Sequence, residues 1–279
     1  MIYLALTMNS NNPESDVRRG LLKVGLGFVL SQFLDLSLVK PAGAAPHRDE
    51  PPSIINTEIQ MYHEINYLSF KRDALAFLYS GGYFISLDDF IDAKKGYFII
   101  PAGVRTRVIT WDDGRRSQIT QGLRALKEVK EETGVSIPVA AFYIMKFNDP
   151  DVPIEDVPDD TPSYVDGSKT NVFLTKGNIF ELADNDVSPY NHTARHGDLP
   201  TLSIGARNAE VEIGGDRINV FRRILGLKPK YDIFAYPFGH YLRQMEYIQD
   251  LGYAAALSTE QTNIHTSATT FHDGRIRKS

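Results

Sequence analysis

The chain has no cysteine among its 279 residues. Disulfide frameworks, thiolate metal sites and thiol nucleophiles are therefore excluded, and any metal must be held through His, Asp or Glu. Tryptophan is almost absent too, with Trp111 the sole example. Nor is there a surplus of positive charge: the formal net charge is −5 and the isoelectric point is about 5.8. Such a balance provides no basic face for nucleic acid. No uninterrupted apolar run reaches the roughly 20 residues of a bilayer-spanning helix, because the mostly apolar stretch 24–39 is broken by Asp35. What is present is ordinary for a folded protein: 42% hydrophobic and 23% charged residues, enough for a sizeable core in one large domain or two small ones. Seven histidines remain as the imidazole candidates for a metal.

At the N-terminus Arg18 and Arg19 precede the run 24–39, and Ala42-Gly43-Ala44-Ala45 supplies small residues for cleavage. The pattern resembles a twin-arginine export signal; an amphipathic helix or a membrane anchor is the alternative. The signal reading makes the export machinery a partner. It also implies folding before export, a mature chain from near Pro46 with no stable membrane span, and a periplasmic or extracellular location. Residues 1–45 are then the signal, 46–57 a linker and 58–279 the domain.

Within 58–279, strand-like segments at 58–62, 83–85, 107–111, 138–145, 231–236 and 254–257 alternate with helical patterns at 68–79, 87–93, 119–133, 216–225 and 242–251. This alternation predicts a parallel α/β fold. The stretch 148–166 holds four prolines and seven acidic residues, which makes regular structure improbable there.

In parallel α/β folds, reactive groups gather where strands end. Asp112-Asp113-Gly114 follows directly on the strand ending at Trp111. Alone it is also common turn chemistry. His192 and His196 stand four residues apart, a spacing that brings two imidazoles to one side of a helical turn and within reach of one ion. The same pair is equally compatible with surface or capping residues.

Taken in order, Thr110-Trp111-Asp112-Asp113-Gly114, Asn191-His192-Thr193-Ala194-Arg195-His196 and Phe234-Ala235-Tyr236-Pro237-Phe238-Gly239 resemble three motifs of the polysaccharide deacetylase (NodB-like, carbohydrate esterase) family. The segments Met61-Tyr62-His63-Glu64-Ile65 and Gly252-Tyr253-Ala254-Ala255-Ala256-Leu257-Ser258-Thr259 are similar to the branch that acts on poly-N-acetylglucosamine. The resemblance implies an irregular (β/α)7-type barrel and metal-dependent hydrolysis of N-acetyl, or O-acetyl, groups on an acetylated glycan. It implies that Asp113, His192 and His196 hold a divalent metal, with Zn2+ the expected ion. Asp112 becomes the general base toward water, and the backbone N–H of Phe238 the donor to the oxyanion. The general acid is His63, with His265 and His272 as alternatives. Tyr236, Pro237 and Arg195 fall at the substrate side.

Two departures from the family pattern stand out. Ala235 occupies the place where many members carry an arginine that pairs with the catalytic aspartate, and the tryptophan-bearing pocket motif is missing. Arg115, Arg116 and Arg195 either make the mouth more cationic or pair with the acidic stretch 148–166. A glycan-binding protein impaired in turnover, or a hydrolase of a small amide, are the competing functions.

Overall fold

The computed structural model describes residues 55–145, 176–241, 246–260, 264–265 and 273–278. The expected signal, His272 and the acidic stretch 148–166 lie outside the described residues. One nine-stranded sheet organises the described residues. Strand β1 (Ile55–Tyr62) pairs in parallel with β3 (Thr106–Asp113), β3 with β4 (Val139–Tyr143), β4 with β5 (Val187–Asn191), β5 with β6 (Ile233–Ala235) and β6 with β7 (Ala255–Leu257). The short β2 (Tyr83–Phe84) flanks the start of β3. On the other edge of β1, β8 (Ile264–His265) runs antiparallel to residues 55–56, and β9 (Ile276–Lys278) runs parallel to Gln60, Met61 and Tyr62.

The sheet curls, and the segment 273–278 joins its two ends. Asp273 bridges Leu257 of β7, while β9 pairs with β1. Parallel strands covered on both faces should read as continuous buried runs, and every residue of β3 is buried. Register then sorts side chains by face. Ile59, Val108, Ala140, Phe142, Tyr190, Ile233, Ala235, Ala255 and Leu257 form the inner cluster. Helix α2 (Leu87–Lys94) contributes Leu87, Phe90 and Ile91 to that cluster, and it closes the end of the barrel at which the strands begin. The opposite face carries Ile109, Trp111, Val139, Ala141, Tyr143 and Val187. There they pack with α1 (Tyr67–Tyr79), α3 (Leu123–Thr133), α4 (Lys176–Ala183) and α5 (Ile204–Ile224). A last helix, α6 (Glu246–Asp250), precedes β7. No helix among the described residues is long and apolar enough to cross a membrane.

The parallel (β/α) architecture is thus as expected, with differences that have physical causes. Strand β1 starts three residues before position 58. Strand β5 falls in a region that reads as irregular because Pro189 interrupts a five-residue strand. Helix α5 begins at Ile204, twelve residues before the expected start, on an N-cap in which Ser203 accepts from the Ala206 N–H. Gly205, Gly214 and Gly215 hide it, since glycine disfavours helix by about 1 kcal/mol each.

Candidate metal centre

The site forms where β1, β3, β5 and β6 end. Alternation sends Asp112 inward and would send Asp113 outward. Asp113 escapes this by leaving strand geometry with φ 69°, followed by Gly114 at φ 75°. Both carboxylates are buried there. After β5 the alternation is used directly. Asn191 points outward to α5, and His192 inward.

The expected helical turn for the histidine pair is not what the structure shows: residues 192–198 form a loop. Thr193 at φ 72° and His196 at φ 62° fold that loop back on itself, so the two rings converge without helical spacing. Of the five non-glycine residues at positive φ among the described residues, Asp113, Thr193, His196 and Phe238 lie here. Each such conformation costs about 1–3 kcal/mol and marks a backbone that its surroundings hold in place.

Three buried ligand atoms meet. His192 Nε2 and His196 Nε2 stand 3.2 Å apart, and Asp113 Oδ1 is 3.5 Å from the first and 3.6 Å from the second. The centre of that triangle is about 2.0 Å from all three atoms, the length of a Zn–N or Zn–O bond. The donor set therefore fits a divalent ion. His192 Nδ1 donates to the Ala235 carbonyl at 2.8 Å; because a carbonyl only accepts, Nδ1 carries the proton and Nε2 presents its lone pair. Burial, and then the neighbouring His192 ring, lower the His196 pKa to about 3, so its ring is neutral at pH 7.

The site is also held from outside. Arg115 grips Asp113 Oδ2 through Nη2 at 2.9 Å and Nε at 3.1 Å, and reaches Glu64 Oε1 at 3.1 Å. Arg115 is therefore turned inward, onto the aspartate of the cluster. Asn191 Oδ1 accepts from Thr193 N at 2.8 Å, while its Nδ2 donates to the Val211 carbonyl and the Tyr253 hydroxyl. Glu210 accepts from the Arg195 N–H, and its own carbonyl accepts from Ala194 N.

Position 235 is an alanine, and the arginine that pairs with Asp112 comes from another element. Arg275, 1% exposed, donates to Asp112 Oδ1 at 2.7 Å and to the Ser258 carbonyl at 3.0 Å. Asp112 Oδ2 is then 3.9 Å from His192 Nε2. No sequence signal pointed to Arg275 beyond the vacancy at Ala235, since residues 273–278 carry no clear strand pattern. Asn191 was visible only as the first letter of a motif, and Arg115 only as an unplaced charge.

The other expected residues are placed as follows. His63 lies one residue beyond β1, its Nδ1 buried without a hydrogen-bond partner. Burial lowers its pKa against the opposing pull of Asp112 and Asp113. His265 pairs with Ile55 at the other end of β1, about 23 Å from the site at roughly 3.3 Å per residue. Phe238, at φ 59° and 44% exposed, sets its ring 4.6 Å from that of His196. Pro237 is buried beside it. Arg195 is exposed and faces Glu210 at 3.7 Å. Tyr236 is not brought to the cluster: its side chain packs behind the sheet with Phe234, Ile248 and Ala256.

A barrel of parallel strands with a buried Asp-His-His cluster at the strand ends defines the class, and solved structures share this fold. The Streptococcus pyogenes deacetylase PplD, solved in complex with acetate, superimposes with a TM-score of 0.61 at 18% identity, over 82% of this chain and 93% of that one. BC0361, a polysaccharide deacetylase from Bacillus cereus, gives 0.60 at 19% identity, over 81% of this chain and 65% of that one. IcaB from Ammonifex degensii gives 0.58 at 18% identity, over 81% and 92%. No protein-family model and no curated protein matches the sequence.

Proposed function

We propose that this protein hydrolyses acetyl groups, N-acetyl foremost, on an exported or cell-envelope glycan, with a divalent metal held by Asp113, His192 and His196. The observation that carries the reading is the convergence of these three ligand atoms beside Asp112, on a barrel shared with solved deacetylases. Zinc is the ion that this nitrogen and oxygen set suits. When bound, such an ion supplies a Lewis acid that polarises an acetyl carbonyl and brings the pKa of a water toward neutrality.

The chain's own groups divide the proton work. Arg275 fixes Asp112 through Oδ1 and leaves Oδ2 facing the ligand cluster, where it takes the proton of the attacking water. His63, facing Asp112 and Asp113 across the site, gives a proton to the departing nitrogen, so that acetate and a free amine leave. The Phe238 N–H is the proposed donor to the oxyanion, in the strained turn that its positive φ creates. Acetate in the S. pyogenes neighbour is the product such a reaction releases. Ala235, which together with the missing pocket motif favoured an impaired glycan-binding protein, loses that meaning because Arg275 supplies the partner of Asp112. Residues 1–45 are proposed as the twin-arginine signal that takes the folded enzyme to the envelope.

The test is acetate release from N-acetylglucosamine oligomers by the mature chain, after chelation and again after Zn2+ is restored. Release that follows the metal supports the reading; tight glycan binding with no acetate in either state refutes it.

A further inference from the structure

The segment that closes the barrel carries a second buried ion pair with no place in the chemistry above. Asp273 donates its N–H to the Ala256 carbonyl at 3.1 Å and accepts from Ser258 N at 2.8 Å. Asp273 and Arg275 are two apart in an extended chain, so both side chains enter the same face, the barrel interior. Arg275 meets Asp112. Asp273 meets Lys94 Nζ at 2.5 and 2.7 Å, and Lys94 is the last residue of α2, the helix that closes the barrel. All four side chains are at most 2% exposed.

Burying an ion pair costs several kcal/mol per ion in lost hydration, and apolar residues of similar shape are often as stable. The Lys94–Asp273 pair therefore calls for a reason other than stability. The sequence Asp273-Gly274-Arg275-Ile276-Arg277-Lys278 has one apolar side chain, so hydrophobic patterning cannot set the register of this strand, and a slip of one residue would turn Arg275 to the opposite face. We propose that Lys94 and Asp273 form a register lock for the C-terminal strand, whose task is to hold Arg275 on Asp112. All three are positioning residues for the hydrolysis proposed above, on which this inference rests.

The test is the full mature chain with Lys94→Met and Asp273→Leu together, both close in shape to the originals. Melting should stay near wild type, as expected for apolar replacement of a buried pair. Amide exchange over residues 274–278 should quicken by about tenfold or more, and kcat should fall about tenfold or more with KM nearly unchanged. Asp273→Asn, milder in volume, should move exchange and kcat the same way if the double variant folds poorly. Arg275→Lys, which keeps the charge, should retain clearly more kcat than Arg275→Met. Wild-type kcat in the double variant, or equal losses in the two Arg275 variants, would overturn the proposal. Exchange does not depend on turnover: a wild-type enzyme that releases no acetate counts against the function alone, and unchanged exchange counts against the lock alone.

Discussion

Replacing Gly214 by alanine sets two effects of opposite sign against each other. Gly214 lies inside α5, where alanine should gain about 1 kcal/mol from helix propensity. A Cβ at this position would stand 2.3 Å from Asn191 Oδ1, 2.8 Å from the Thr193 carbonyl carbon and 3.0 Å from its Cα. Neither neighbour can give way: Asn191 is tied by three hydrogen bonds, and the Thr193 backbone carries the loop between His192 and His196. An overlap of this kind costs about 1–3 kcal/mol, so the net loss reaches about 2 kcal/mol, a melting decrease of up to roughly 8 °C for a domain of this size. Because the displaced loop bears His192 and His196, Zn2+ affinity should fall about tenfold or more. Gly205, also in α5, has nothing within 4 Å of its Cβ position, and Gly205→Ala serves as the control that should be neutral or mildly stabilising. Thermal melts and competition of Zn2+ against a chromophoric chelator read both quantities. A Gly214→Ala protein that melts higher, with unchanged metal affinity, would refute the claim that α5 is pressed against the histidine loop.

Arg115→Gln should weaken Zn2+ binding by about 10–100-fold, because Asp113 loses the partner that holds its outer oxygen. Glu64→Gln, whose side chain is 63% exposed, should cost less than about 1 kcal/mol of stability; chelator competition and melts check the two. The metal-free protein should lose stability as pH falls. His196, neutral in the fold down to about pH 3, takes up its proton near pH 6.5 once unfolded, so the unfolded state binds more protons between these values and is favoured there. Between pH 7 and 5 this amounts to about 2 kcal/mol, with His63 acting in the same direction; flat urea midpoints across that interval would contradict it. His63→Ala should lower kcat by about 10²–10⁴-fold while Zn2+ affinity stays within a few-fold. Full turnover in that variant would remove His63 from the reaction.

The parts of the fold that could be read in advance are those with strong local patterns. The apolar run of β3, the stop at Gly134 and the buried run of β4 each announce themselves. Asp112 and Asp113 are legible as a pair, yet only the left-handed backbone at Asp113 explains how neighbours on a strand serve one site. The histidine loop shows the limit of spacing arguments. Positions i and i+4 suggest a helical turn, and the same convergence is reached through two strained residues and the side chain of Asn191. Arg275 was invisible because its role depends on a strand pairing across more than 200 residues of sequence, from β1 to the C-terminus. Such pairing leaves no local trace when the segment holds a single apolar residue. The contact of Arg115 with Asp113 was not legible, since a charge beside an acidic turn points equally well to solvent.

In the proposed reaction the metal ligands and the neighbouring carboxylate have separate tasks. Measuring bound Zn2+ and acetate release together for the wild type, Asp113→Ala and Asp112→Asn separates them. One ion and turnover are expected in the wild type, neither in Asp113→Ala, and one ion without turnover in Asp112→Asn. An Asp113→Ala protein that still binds the ion and releases acetate at the wild-type rate would contradict this division.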